Sequence, residues 1–239
     1  MSNNKIKSGT GYSIHSIDRE NKTISIDFSG NPDSNDPIID KNDGCFRNDA
    51  SILFFVANSY KSAFLSLGRD IDNRFEKYIE KDIEHLILPY YYNFRHYVET
   101  ELKAIYVAVT NKSPELKHDF SILLSLTEKA INEISYGEID NSYLKLSEEG
   151  FNEIKSNALS IFDNIKMMIN QYISIEPAVE YYRYIFENEK NNGDRYMVLN
   201  NPVIQLDYPK TNQLFCSIRD SFDILCKKLR EIIYIYFTL

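Results

Sequence analysis

The stretch Arg95-His96-Tyr97-Val98-Glu99-Thr100-Glu101-Leu102-Lys103 concentrates more polar chemistry than any other part of this chain, and His118-Asp119-Phe120 follows fifteen residues after Lys103. Imidazoles exchange protons near neutral pH, so His96 and His118 are candidate acids or bases. Arg95 and Lys103 could stabilise a developing anion. Glu99 and Asp119 could orient a cation or an imidazole. These six residues are the candidate catalytic set.

Spacing decides how far they can cooperate. Arg95, Glu99 and Lys103 stand at i, i+4 and i+8 and share one helix face. The order cation, carboxylate, cation gives two favourable pairs, each worth roughly 0.2–0.5 kcal/mol on an exposed surface. The simplest reading is a solvated charge ladder; a partly buried Arg95–Glu99 pair that fixes helix packing fits the spacing as well. Arg95 and His96 are adjacent, so their side chains diverge by about 100° on a helix. His118-Asp119 reads as a helix start with Asp119 as N-cap, or as a catalytic pair. An antiparallel hairpin would place His118 nearer Lys103 and Tyr106 than Arg95. The connecting residues would have to fold back, or a dimer partner complete the site.

The elements around these residues are helical. Ile52, Val56, Tyr60, Ala63 and Leu67 form a stripe that Gly68 is expected to stop, with a charged helix following through Arg74, Tyr78 and Ile83. The central helix carries Tyr91, Phe94, Val98, Leu102, Ile105 and Val109 after Pro89 near its first turn. Asn111 to Pro114 break it, and the next helix runs to about Ile134. Two later stripes, Phe151 to Tyr172 and Phe215 to Tyr236, step by three and four, which suits shallow-angle packing in a bundle or a dimer.

Outside the helices, Tyr12 to Ile17 and Ile24 to Phe28 alternate around Glu20-Asn21-Lys22 as a β-hairpin. Tyr181 to Phe186 and Met197 to Leu199 flank a turn at 188–194. Asn201-Pro202 and Tyr208-Pro209 then break regular structure before the last helix. The expected fold is mainly α: a helical bundle with a small N-terminal β-hairpin and a short β insert before the last helix. Residues 1–48 form the hairpin and linker, and 49–239 form the bundle domain.

Composition bounds the function. Eighteen Tyr and fourteen Phe without Trp supply the large core volume. A net charge of −8 argues against a constitutive nucleic-acid binder, although a local basic groove is compatible with it. Cys45, Cys216 and Cys226 lack metal or disulfide spacing and read as reduced thiols. With no secretory signal and no apolar run of membrane-spanning length, a cytoplasmic protein without a membrane partner is expected. No phosphate loop, HExxH, GxSxG or EF-hand motif occurs, so no cofactor or metal is expected.

The pattern Arg-His-x-x-Glu-Leu-x-Leu-Lys followed by His-Asp-Leu-x-x-Leu resembles bacterial proteins of the HEPN superfamily, including abortive-infection-like members. Here it stands as Arg95 to Lys103 and His118 to Leu123, with Thr100 and Phe120 where the pattern has Leu. A weaker likeness continues through Asp194-Arg195-Tyr196 and the helix after Pro209. The resemblance implies an all-helical bundle, often a homodimer, acting in anti-phage defence or a toxin-type stress response. An antitoxin or sensor protein would be its partner, with RNA or a nucleotide as ligand.

Many such proteins are metal-independent ribonucleases. One group deprotonates the ribose 2′-hydroxyl, another protonates the leaving oxygen, and a cation meets the phosphorane. In that scheme His96 or His118 fills the first two roles, and Arg95 and Lys103 the third. The family's catalytic signature places an Arg four to six residues before a His on one helix. None of His15, His85, His96 and His118 has one. A non-catalytic binding or oligomerisation module is therefore the alternative to an RNase.

Overall fold

The computed structural model describes residues 13–18, 23–27, 44–77, 83–112, 118–136, 146–175, 186–188, 195–197 and 207–233. The protein is mainly helical. Five helices carry its core: α1 (Gly44–Glu76), α2 (Glu84–Thr110), α3 (Phe120–Glu133), α4 (Glu148–Ile175) and α5 (Tyr208–Ile232). Helix α1 packs along α2, α3 bridges α2 and α4, and α4 packs on α5, which also touches α2.

Two short antiparallel pairs complete the described backbone. Ser13–Asp18 pairs with Thr23–Asp27, and Phe186–Asn188 with Arg195–Met197. The turns expected at Glu20-Asn21-Lys22 and over 189–194 lie outside the described residues, as does Tyr236 at the end of the last stripe.

The core is aromatic and converges on Phe94. Its ring stacks on Phe215 of α5 at 3.5 Å between centroids and 4° between planes. Phe64 of α1 and Tyr172 of α4 meet the same ring edge-on at 5.4 and 5.2 Å. Edge-to-face pairs of this kind add to the burial of each ring, because the positive rim of one faces the negative face of another. The residue immediately before Arg95 is thus held by three other helices.

Helix α2 is buried on almost every side. Tyr90, Tyr91, Phe94, Tyr97, Val98, Leu102, Ala104, Ile105 and Val107 are core, and Glu99, Thr100 and Glu101 are buried with them. A helix between two flanking layers keeps little wet surface, here at His85, Pro89 and Tyr92 in its first turns. The expected solvated ladder is accordingly not found: the Glu99 side chain is 6% exposed and Lys103 12%.

Three expected boundaries are corrected. Helix α1 starts at Gly44 and runs through Gly68 instead of stopping there. Gly68 is needed for close packing: a Cβ would lie 3.1 Å from Tyr90 Cε2. Its carbonyl oxygen also accepts the Tyr208 hydroxyl at 2.9 Å. Helix α2 starts at Glu84, so Pro89 lies inside it. Pro209 opens α5 instead of breaking the chain, behind the Asp207 N-cap, whose carboxylate accepts from the Lys210 amide. Proline suits a first turn, where its missing N–H has no intrahelical partner to lose.

Other ends match the sequence reading. Asn111 closes α2 in the left-handed region at φ 54°, its N–H donating to the Val107 carbonyl. Lys155 of α4 donates to the Asn132 and Ile134 carbonyls at 2.7 and 2.8 Å, capping the C-terminal end of α3. Both later stripes line the core. Phe215, Ile218, Phe222, Leu225, Leu229 and Ile232 are buried. On α4 the buried line is Phe151, Ala158, Phe162, Ile165, Ile169 and Tyr172, while Ile154, Ile161 and Met168 pack at its edge.

Among the described residues one segment, Ala50–Glu76, is long and apolar enough by length and composition to cross a membrane. Core helices pass the same test. Here Phe54, Ala57, Phe64 and Ile71 face the bundle.

Candidate functional site

Glu99 is the hub of the polar cluster. Its Oε1 accepts from Lys103 Nζ at 2.7 Å and lies 2.8 Å from His118 Nδ1. Burial alone would raise the carboxyl's pKa, but hydrogen bonds and charge from Lys103 and His118 outweigh it and hold it below its ordinary value. Glu99 is therefore a carboxylate, which can only accept. The Nδ1 of His118 must then be the N–H donor, and in the neutral ring Nε2 carries the lone pair. The His118 side chain is 71% exposed, so that second nitrogen faces solvent.

This contact required the chain to return along α2. Glu99 lies eleven residues before Thr110, about 16 Å at 1.5 Å per residue, yet His118 reaches it directly. The chain does fold back, and a single protomer joins His118 to Glu99 and Lys103.

Arg95 comes to the same place. Its Nη2 lies 3.5 Å from the His118 carbonyl oxygen, at the limit of a hydrogen bond. Its guanidinium carbon sits 5.0 Å from the centroid of the Phe120 ring. A cation over a ring face is held by the ring's quadrupole. Arg95, Glu99, Lys103 and His118 therefore form one group across the α2–α3 seam.

Of the other two candidates, His96 does not join it and Asp119 reaches it only through the charge of Arg95. His96 points away, toward α1, as the 100° offset requires. Its ring stacks on Tyr60 at 5.1 Å and meets Tyr92 edge-on at 4.3 Å. Asp119 caps α3, accepting from the Ser121 amide at 2.7 Å and from the Ile122 amide. Hydrogen bonds from the Ser121 hydroxyl and these amides lower its pKa. Its chemistry is that of a helix start.

A second polar group escaped the sequence reading. Glu101 is buried, and Cys226 of α5 donates its thiol to Glu101 Oε1 at 3.3 Å. Tyr97, one turn earlier on α2, is buried with no hydrogen-bond partner on its hydroxyl. Lys61 of α1 pairs with Asp223 of α5 at 2.9 Å close by. The signal was available: Glu101 stands on the line Phe94, Val98, Glu101, Ile105, which steps by three and four along the core face.

Cys226 is a buried free thiol and Cys216 a partly buried one. Among the described residues no three His, Cys, Asp or Glu side chains gather to hold a metal ion. Compared with known proteins, the chain matches no family model, no curated protein and no solved structure.

Proposed function

We propose that this chain is a HEPN-like helical protein of bacterial anti-phage defence or toxin-type stress response that cleaves RNA without a metal. The observation that carries the reading is the exposed His118 imidazole held at Nδ1 by the buried Glu99 carboxylate. A carboxylate behind an imidazole fixes its tautomer and steadies the charged ring once it takes a proton. With Nε2 outward, His118 accepts the ribose 2′-hydroxyl proton. The 2′-oxygen attacks phosphorus, the bond to the 5′-oxygen breaks, and that oxygen leaves with a proton from water. The products are a 2′,3′-cyclic phosphate and a 5′-hydroxyl. Arg95 stands beside His118 to meet the phosphorane charge. Lys103 balances Glu99, and Asp119 and His96 serve the scaffold. The two short β pairs are accessory to the bundle, and a homodimer and an antitoxin or sensor partner belong to the same reading.

A second reading has its own observation. Glu99 binds one residue on its own helix and one at the threshold of α3, so the group also works as a clamp between α2 and α3. On that reading the protein is a non-catalytic HEPN-like module that binds a nucleotide or a protein. Purified protein incubated with mixed RNA in the presence of a chelator separates the two. Products ending in cyclic phosphate, lost in both Arg95→Ala and His118→Ala while circular dichroism is unchanged, support catalysis. Inert wild-type protein, with RNA and with its cellular partners added, rules it out.

A further inference from the structure

The seam between α2 and α5 contains a carboxyl group that the proposed chemistry does not use. Glu101 is 6% exposed, and among the described residues its one hydrogen bond is to a thiol, a weak donor. No lysine or arginine forms an ion pair with it among the described residues; the nearby Lys61 is instead engaged by Asp223 at 2.9 Å. The Tyr97 hydroxyl, buried in the same seam, has no hydrogen-bond partner among the described residues. A buried carboxylate without a cation or strong donors is costly, so the neutral acid is the form this seam accepts.

We propose that Glu101 is a proton-operated latch: protonated it seats α5 against α2, and ionised it loosens that seat. Among the described residues, charged and titratable neighbours on three helices bear on the switch, and Arg219 of α5 adds its charge beside Tyr97. From α1 comes Lys61, from α2 Tyr97, and from α5 Asp223, Cys226 and Arg230. Burial is the largest influence and raises the Glu101 pKa from 4.5 to about 7, against the Cys226 hydrogen bond and the positive charge of Lys61. Asp223 adds to the rise, and Arg230 opposes it. The Cys226 thiol is pushed well above its usual range by burial and by Glu101, so it stays protonated as the donor.

The sign follows from proton counting. Between the unfolded value of 4.5 and the folded value near 7, the folded state holds a proton that the unfolded state has lost. Stability contributed by this group therefore falls as pH rises through that window and is constant above it.

Urea unfolding measured from pH 4.5 to 8 on the full chain and on Glu101→Gln tests the latch. The wild-type unfolding constant is expected to rise by up to about tenfold per pH unit relative to Glu101→Gln, because one proton is at stake. Every other titratable group is common to both chains and cancels in the comparison. Parallel profiles would overturn the latch. Should Glu101→Gln fail to fold, carbon-detected titration of the wild-type carboxyl decides: a midpoint near neutrality supports it, and one in the ordinary glutamate range overturns it.

Discussion

Glu99 and Glu101 stand two positions apart on α2, both buried, and point into opposite seams. Two helical steps turn a side chain by about 200°. Glu99 therefore meets Lys103 and His118 toward α3, while Glu101 meets the Cys226 thiol of α5. The first has the Lys103 cation and the His118 N–H and is held ionised; the second has a thiol and is pushed toward its neutral form. Two identical side chains thus acquire opposite electrical characters from the helices they face.

Acid unfolding should report Glu99. Its folded pKa lies below the ordinary 4.5, so its contribution is present above that value and is lost as pH falls through the folded one. Glu99→Gln should flatten this acid limb and cost about 1–3 kcal/mol at neutral pH, because Lys103 and His118 lose a charged acceptor. Denaturant melts at pH 3 to 7 measure both.

The proposed chemistry assigns unequal weights to the six candidates. His118→Ala should lower RNA cleavage by roughly 10²–10⁴-fold, the usual range for removing a positioned general base. Arg95→Ala should cost a comparable factor in kcat with little change in KM, since its charge is needed only in the transition state. His96→Ala should leave the rate within a few-fold, because its ring is stacked on Tyr60. Single-turnover assays on a labelled oligonucleotide compare the three.

Asp119→Ala should behave as a lost cap. The helix start should lose stability, and Asp119→Asn should recover most of it. A rate loss that persists in Asp119→Asn at full folding would instead assign this carboxylate a part in the chemistry.

Gly68→Ala should destabilise, although alanine is the better helix former by about 1 kcal/mol. The added methyl would press on Tyr90 Cε2 at 3.1 Å. Tyr90 cannot yield, being fully buried, stacked on Phe215 at 5.3 Å and bonded to Asn212 at 2.7 Å. Phe215→Ala should cost more, about 3–5 kcal/mol, by emptying the centre of the aromatic core. Thermal melts rank the two.

Much of this arrangement was legible in the chain. The Phe215 to Ile232 stripe, the Asp119 cap and the break after Asn111 are local signals, and local signals survive folding. Gly68 misled because glycine serves both as a helix stop and as a point of close approach; only the partner, Tyr90, tells which. The grouping of Arg95, Glu99 and Lys103 followed from spacing, but their burial did not. It depends on how many helices surround α2, a property of the assembled bundle. The reach of His118 to Glu99 likewise depends on where the connection lands, which no periodicity encodes. Spacing places Glu101 on the apolar line, but its partner, the Cys226 thiol, lies 125 residues away and only the assembled bundle brings the two together.

Helix α5 is tied to the first half of the chain at separated points. The Tyr208 hydroxyl bonds the Gly68 carbonyl, Tyr90 bonds Asn212, and Lys61 pairs with Asp223. The first of these spans 140 residues of sequence. None can form until α5 and its partner on α1 or α2 are both present, and none can break without freeing α1 or α2 as well as α5. Protected amides at the middle of α1, α2 and α5 should therefore exchange with one shared opening free energy, as a single cooperative unit, whereas α3 can open separately. During synthesis that unit stays unlocked until the last helix emerges.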